Sequence, residues 1–529
     1  MTMMWAWIER LFLRAGSRPE PARAPEGAPP RTRDERDALL LESLDGLGGP
    51  GRGAAAIRLQ ELVFALPMAH RVRVDDMLRQ RVVVHDGYHG LPWLRGADDV
   101  RRLALPADTE AAVFGLLAGA ASGYVREAAV QRLADVRTGG ELAPLLLRAN
   151  DWVAPVRRRA QDALRARVVP AYAPHWICAM RLVLRLRETG RGDNGPLVDS
   201  VMDLLRGDDV RAAVLEGLYT PDRVGARACY TILLRSGAPD LQDIVFRALG
   251  SDDVVVRLEA ARAAARLDDG ALAELLPWMM ADPFLRVRMT AMELAERRGL
   301  AGLPELGRAL LDRSPAGRAH ARAVVTRAGP MDFAAFYRNE IRADSPRLAE
   351  AIAGLAETGR AEDAEVIRPA LAHTRPRVRV AAIRALARLA GDRHLDAFLL
   401  SLGSLTPRVS RAAADALRDR TRLVDEAAIA SAFAAESPLH ARENALELLA
   451  WRGKWDGLVW ILQALTDSDP RIREAAGTLL ERWRQRFNRT FAQPTSAQLE
   501  RVRTALQPVA STLPPETVKW LRFAAGIGG

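Results

Sequence analysis

The histidine-rich run RVVVHDGYHGLPWLRG, residues 81–96, holds the side chains most suited to a metal: His85, Asp86 and His89. Two imidazoles four positions apart can chelate on a helix, but Gly87 and Gly90 favour a turn, and no third ligand is fixed by the spacing. The trio is therefore a weak candidate metal site set against a capping turn. In APHWICAM, His175 stands one helical turn before Cys178, a spacing open to thiol activation. Trp176 and Ile177 between them favour a packed face. There is no Gly-rich phosphate loop, no dinucleotide fingerprint and no Gly-x-Ser-x-Gly elbow. No catalytic residue, cofactor or metal is assigned, and an enzymatic role has no support.

Binding chemistry is better represented. ERWRQRFNRTF (481–491) interleaves Trp483, Arg484, Arg486 and Phe487, and Trp451, Trp455 and Trp460 group around the turn RGKWDG. Such mixtures stack on bases, anchor protein interfaces, or pack amphipathic helices with snorkelling arginines. Near the start, Trp5, Ile8, Leu11 and Phe12 form one apolar stripe over residues 1–14. Three roles suit that helix: folding back as a cap, docking in a partner groove, or lying on a membrane. Its lack of a polybasic face counts against the membrane.

These residues are positioned by an unusually regular chain. Its 529 residues carry 76 Lys+Arg against 66 Asp+Glu, a net charge of +10, and only Lys454 and Lys519 are lysines. Apolar residues make up 49%, enough for a large core, while 5% aromatics disfavour an all-β chain. Two cysteines exclude a disulfide scaffold and suit a cytoplasmic location. From residue 121 an anchor position recurs at 126, 157, 227, 257, 288, 318, 349, 379, 410, 442 and 473. It is arginine except at Ala349 and Ser410, and from 227 onward the intervals are 30–32 residues. Three residues on stands alanine in most copies, and seven on, most often leucine. Those offsets share one helical face, so each unit must stack on its neighbours to bury it.

The expected fold is all-α, an α-solenoid of 11 to 13 stacked antiparallel helix pairs. Its expected organisation is a helix at 1–14, a Pro/Arg-rich linker at 15–33, and a mostly helical region at 34–120. An irregular loop or short strand is expected within that region at 71–105. Repeats fill 121–484 with an insertion near 187–196, and a helical cap occupies 485–529.

The D-P-x-x-V-R-x-x-A pattern, in variant spacings, resembles HEAT repeats, and the short period is most similar to those of the phycobilisome lyases. The resemblance implies an Asp–Arg ladder between repeats. Arg257, Arg288, Arg379 and Arg473, with Asp253, Asp282 and Asp469, would be its structural members, interrupted at Ala349 and Ser410. HEAT-like deoxyhypusine hydroxylase binds iron through His-Glu dipeptides, and none of the eight histidines here precedes Glu. HEAT-like DNA glycosylases would line the anchor-helix face with cations. At offsets +1, +5 and +8, acids instead outnumber arginines eleven to seven. The resulting expectation is a non-catalytic scaffold binding a protein partner. Nucleic-acid binding is the alternative, and a lyase- or chaperone-like role on a modified protein the third. The near-absence of lysine reads as a compositional habit of a bacterial-type genome.

Overall fold

The computed structural model describes residues 33–82, 91–237, 239–300, 304–489 and 491–526. The stripe Trp5, Ile8, Leu11 and Phe12 and the histidine site His85, Asp86 and His89 lie outside the described residues. Every described element is an α- or 3-10 helix. The chain divides into two compact units, Met1–Leu267 and Asp268–Gly529, and the repeats run through both.

Within each unit the architecture is an all-α, HEAT-like stack. Each repeat pairs a helix with the anchor helix that follows it, as Leu142–Arg148 packs on Ala154–Arg165 in the first unit. In the second, Leu395–Leu402 packs in the same way on Pro407–Leu417. Anchor helices also pack on one another: Pro376–Ala390 touches Leu348–Thr358 before it and Pro407–Leu417 after it. The small-residue column makes this approach feasible. Ala129, Ala160, Ala260, Ala291, Ala321, Ala382, Ala413, Ala445 and Ala476 have no exposed surface. The leucines seven after the anchor, Leu133 to Leu480, are likewise buried and fill the space between pairs.

Where Ala349 replaces the anchor arginine, the packing changes hands. Tyr337, fully buried, lays its ring against Gly354, and a Cβ on that glycine would sit 2.2 Å from the ring. The ring is pinned, because its hydroxyl donates to the Leu310 carbonyl at 2.8 Å and accepts from Arg322 at 3.2 Å. Gly354→Ala is therefore expected to cost about 1–3 kcal/mol despite the better helix propensity of alanine. Gly477→Ala, which meets nothing within 4 Å in helix Pro470–Arg486, should instead gain about 0.5–1 kcal/mol. Urea midpoints of the two variants, moving in opposite directions, check the pair.

The segment expected to be irregular at 71–105 differs in its first part. Residues 71–81 lie within the helix Met68–Arg81, and Ala97–Arg102 is a second helix. Asp75 on the first of these helices bonds Arg148 of the first repeats, a tertiary tie that the local β-branched run does not reveal.

Candidate functional site

The anchor arginines bond within and between repeats in a recurring geometry. In the first unit Arg126 and Asp151 are both inaccessible to solvent and form a two-point pair, Nε–Oδ2 and Nη2–Oδ1 each 2.9 Å. The remaining guanidinium nitrogen donates to the carbonyls of Ala120 and Ala121 at 3.1 and 2.7 Å. Arg288 repeats the arrangement in the second unit, with Asp312 at 2.6 and 2.9 Å and the Asp282 carbonyl at 2.8 Å. Each arginine thus closes the loop ahead of its own helix and clamps the acid ahead of the next. Burial alone would raise the Asp312 carboxyl. Hydrogen bonds from Arg288 and the Ser314 amide, with the charge of Arg288, hold it below the ordinary carboxylate range.

The repeated acceptor sits six residues before the anchor. Asp151, Ser251, Asp282, Asp312, His373, Ser404 and Asp467 each accept from the backbone N–H two positions on. The expected ladder members divide accordingly. Asp282 occupies this position, and its carbonyl receives Arg288. Asp253 lies two residues later, caps its helix through the Val255 amide, and takes Arg227 at 2.8 and 2.9 Å. Asp469 corrects the expectation: it caps Pro470–Arg486 through the Arg471 amide, and the acid that Arg442 clamps is Asp467. Arg473 and Arg257 donate to the carbonyls six residues before them, at 2.7 and 2.8 Å.

Both interruptions are filled by other chemistry. Ahead of Ala349, Arg318 turns to Glu357, which Arg322 also bonds. Beside Ser410, Arg379 donates to the Thr406 hydroxyl at 2.9 Å, and Ser410 links the Leu402 carbonyl to Asn444.

A second set of arginines, unforeseen in the sequence, staples the other ends of the helices. Arg167 donates to the carbonyls of Leu133, Ala134 and Val136, just where helix Gly123–Asp135 runs out of intrahelical partners. Arg266 does the same for Leu234, Arg235 and Ser236, Arg420 for Ala387, and Arg452 for Thr421 and Val424. The signal was a further arginine nine or ten residues after the anchor positions 157, 257, 410 and 442.

The aromatic group at 451–487 is mostly interior. Trp455 and Trp483 are buried with their indole N–H groups bonded to the carbonyls of Ala492 and Lys454. With Phe487 and Trp520 they form an edge-to-face cluster, ring centroids 5.2–6.1 Å apart, joining the last repeat to the C-terminal helix Pro515–Ala525. Arg484 pairs with Glu481 and lies over Trp520. Trp451, by contrast, is 45% exposed, with the Arg486 guanidinium over its ring at 4.7 Å.

The thiol reading of His175 and Cys178 meets the wrong electrostatics. Burial first, then the Asp222 carboxylate, push the Cys178 thiol up, and burial pushes Cys229 up to about 12. An activated thiolate needs the opposite. His175 meanwhile packs against Tyr172.

Two clefts open between helices of the second unit. One, of about 430 Å³, lies along the anchor helices Leu348–Thr358 and Pro376–Ala390, where Arg384 and Arg388 stand beside the paired Glu350 and Glu357. The other, of about 360 Å³, lies at Trp451 and the C-terminal part of Pro470–Arg486.

No protein-family model and no curated protein matches the chain. Solved structures of importin beta and of karyopherins align at low identity. Importin beta in a polyethylene glycol condition is 12% identical, with 93% of this chain and 71% of that one covered and a TM-score of 0.40. Kap95p with RanGDP is 12% identical, with 94% and 73% covered and a TM-score of 0.38. Kap121p bound to RanGTP is 13% identical, with 93% and 58% covered and a TM-score of 0.33. Likeness at this level lends nothing to the choice of a partner.

Proposed function

We propose that the chain is a non-catalytic HEAT-like scaffold that binds a protein partner through the surface of its repeats. One observation carries the reading: acids interrupt the anchor-helix face, each holding an arginine of a neighbouring repeat. Glu127 takes Arg159, Glu296 takes Arg327, Glu350 takes Arg377, Glu443 takes Arg471, and Glu447 takes Arg411. A phosphate-tracking groove requires a run of free cations, and these pairs break it. A surface of alternating charge, small clefts and isolated apolar side chains suits the mixed chemistry of a polypeptide. Among the described residues no helix is long and apolar enough to cross a membrane.

The test uses the full chain. Immobilised protein is expected to retain a discrete set of partners that withstands nuclease treatment. Single- and double-stranded oligonucleotides should bind no tighter than about micromolar at low salt, with a shallow salt slope. Tight, steeply salt-dependent oligonucleotide binding by the anchor-helix face would reject the scaffold reading. Deleting residues 1–33 asks separately whether the stripe Trp5, Ile8, Leu11 and Phe12 recruits a partner, and an unchanged set removes it from the interface.

A further inference from the structure

We infer that the cleft beside Trp451 is a docking site for an extended, acidic peptide segment of a protein partner. The inference rests on the scaffold reading and adds the place and the chemistry. The cleft is lined by Arg422, Lys454, Arg482, Arg486 and Arg489 and by no carboxylate. Elsewhere in the stack, several exposed arginines are matched by acids of a neighbouring repeat, as Arg327 by Glu296 and Arg377 by Glu350. Here, among the described residues, Arg422, Arg482, Arg486 and Arg489 have no carboxylate partner. All four are exposed. The walls between them are apolar, with Ile461, Leu479 and the edges of the aromatic cluster. An unpaired cationic cluster over an apolar floor is a surface from which a polyanion gains most, because the guanidinium forks bind carboxylates at two points.

The spacing favours a peptide in extended form. Arg482 and Arg486 are four residues apart on one helix, so their stems rise about 6 Å apart. Acidic side chains at alternate positions of an extended strand lie about 6.5–7 Å apart on one face. The aromatic rings do not offer a base-stacking platform. Arg486 covers Trp451, while Trp483 and Phe487 are engaged edge-to-face with Trp455 and Trp520. Lys454 Nζ is committed to the Phe487 carbonyl at 2.9 Å and lies 3.6 Å from that ring centroid, so it fixes the floor and supplies charge to it.

The experiment measures anisotropy of a fluorescein-labelled peptide of alternating Glu and Ser against the full chain, with a Lys/Ser peptide as control. The Glu peptide should bind saturably and the Lys peptide should not. The double variant Arg482→Glu/Arg486→Glu should weaken binding at least about tenfold, and Arg482→Gln/Arg486→Gln by a smaller factor. Arg384→Glu/Arg388→Glu, in the other cleft, should change it less than about twofold. Circular dichroism verifies that each variant is folded. Absent binding, or equal loss from both clefts, overturns the inference. So does a single-stranded oligonucleotide that displaces the peptide and binds more tightly, which would assign the cleft to nucleic acid. If the peptide fails while immobilised protein still retains its partners, the cleft assignment falls and the scaffold reading stands. If no partner is retained at all, the scaffold reading falls first.

Discussion

Replacing Asp151 by alanine should destabilise the first unit by about 3–5 kcal/mol, the range for stranding one member of a buried ion pair. Four charges meet there. Arg126 is held by Asp151, and Arg148 reaches Asp151 at 3.4 Å, Asp75, and the Ala118 carbonyl at 2.8 Å. Asp151 and Arg126 have no exposed side-chain surface and Arg148 has 2%. Removing the Asp151 carboxylate leaves the fully buried Arg126 without its ion-pair partner and Arg148 with Asp75 alone. The Asp151→Asn variant keeps shape and the cap on the Val153 amide but loses the charge, and it reports the pH dependence. Burial by itself would raise the Asp151 carboxyl. Hydrogen bonds from Arg126 and the Val153 amide, and the charges of Arg126 and Arg148, together bring it below its ordinary value of 3.8. A depressed carboxylate contributes stability that is complete above its unfolded pKa and is lost as pH falls through the folded one. The wild type should therefore lose stability as pH drops below about 4, more steeply than Asp151→Asn. Hydrogen exchange of peptides from 118–165, followed over that range, localises the effect. Equal acid slopes in the two proteins would show that the quartet is not the source.

That quartet marks the boundary of what the sequence could disclose. Period, alanine column and leucine column depend on one helix and its immediate neighbours, so a 3.6-residue pattern exposes them, and every alanine of the column is buried. The ladder is different, because its partners stand 24 to 26 residues apart, as Arg126 with Asp151 and Arg227 with Asp253. Reading acids adjacent to each anchor selects Asp469, which is a cap, in place of Asp467, which is the clamp. The column of acceptors six before the anchor mixes Asp, Ser and His, so a search for one residue type passes over it. The tryptophans mislead in a complementary way. Trp455 and Trp483 carry the composition of an interface, yet they pack on each other in the core, and Trp483 meets Trp520 of the C-terminal helix. Trp451 alone of the three stays half-exposed. Of the second-unit arginines outside both staples, Arg422, Arg482, Arg486 and Arg489 meet at one cleft.

Arg167→Lys is expected to cost about 3–5 kcal/mol although it conserves charge. Arg167 is fully buried, and all three guanidinium nitrogens are engaged. Nε donates to Glu141 Oε1 at 2.8 Å, Nη1 to the Ala163 carbonyl at 2.6 Å, and Nη2 to the carbonyls of Leu133, Ala134 and Val136 at 2.6–3.1 Å. Glu141 is equally buried and is bonded also by the Tyr172 hydroxyl, while the Trp176 indole donates to the carbonyl of Arg167 itself. An ammonium has three donors on one atom and no planar fork, so it cannot reach Glu141, Ala163 and the end of helix Gly123–Asp135 together. Helix-end carbonyls would be left without donors, and a strongly hydrated ion would be buried in their place. Arg165→Lys, two residues away at a 56% exposed side chain paired with Asp162, should change stability by no more than about 0.5 kcal/mol. Urea midpoints of the two variants decide between causes of the arginine bias. If both are neutral, a genome that writes arginine for lysine accounts for it everywhere. If Arg167→Lys alone is costly, the repeat needs the guanidinium fork at its helix ends, and only the exposed arginines remain to compositional habit.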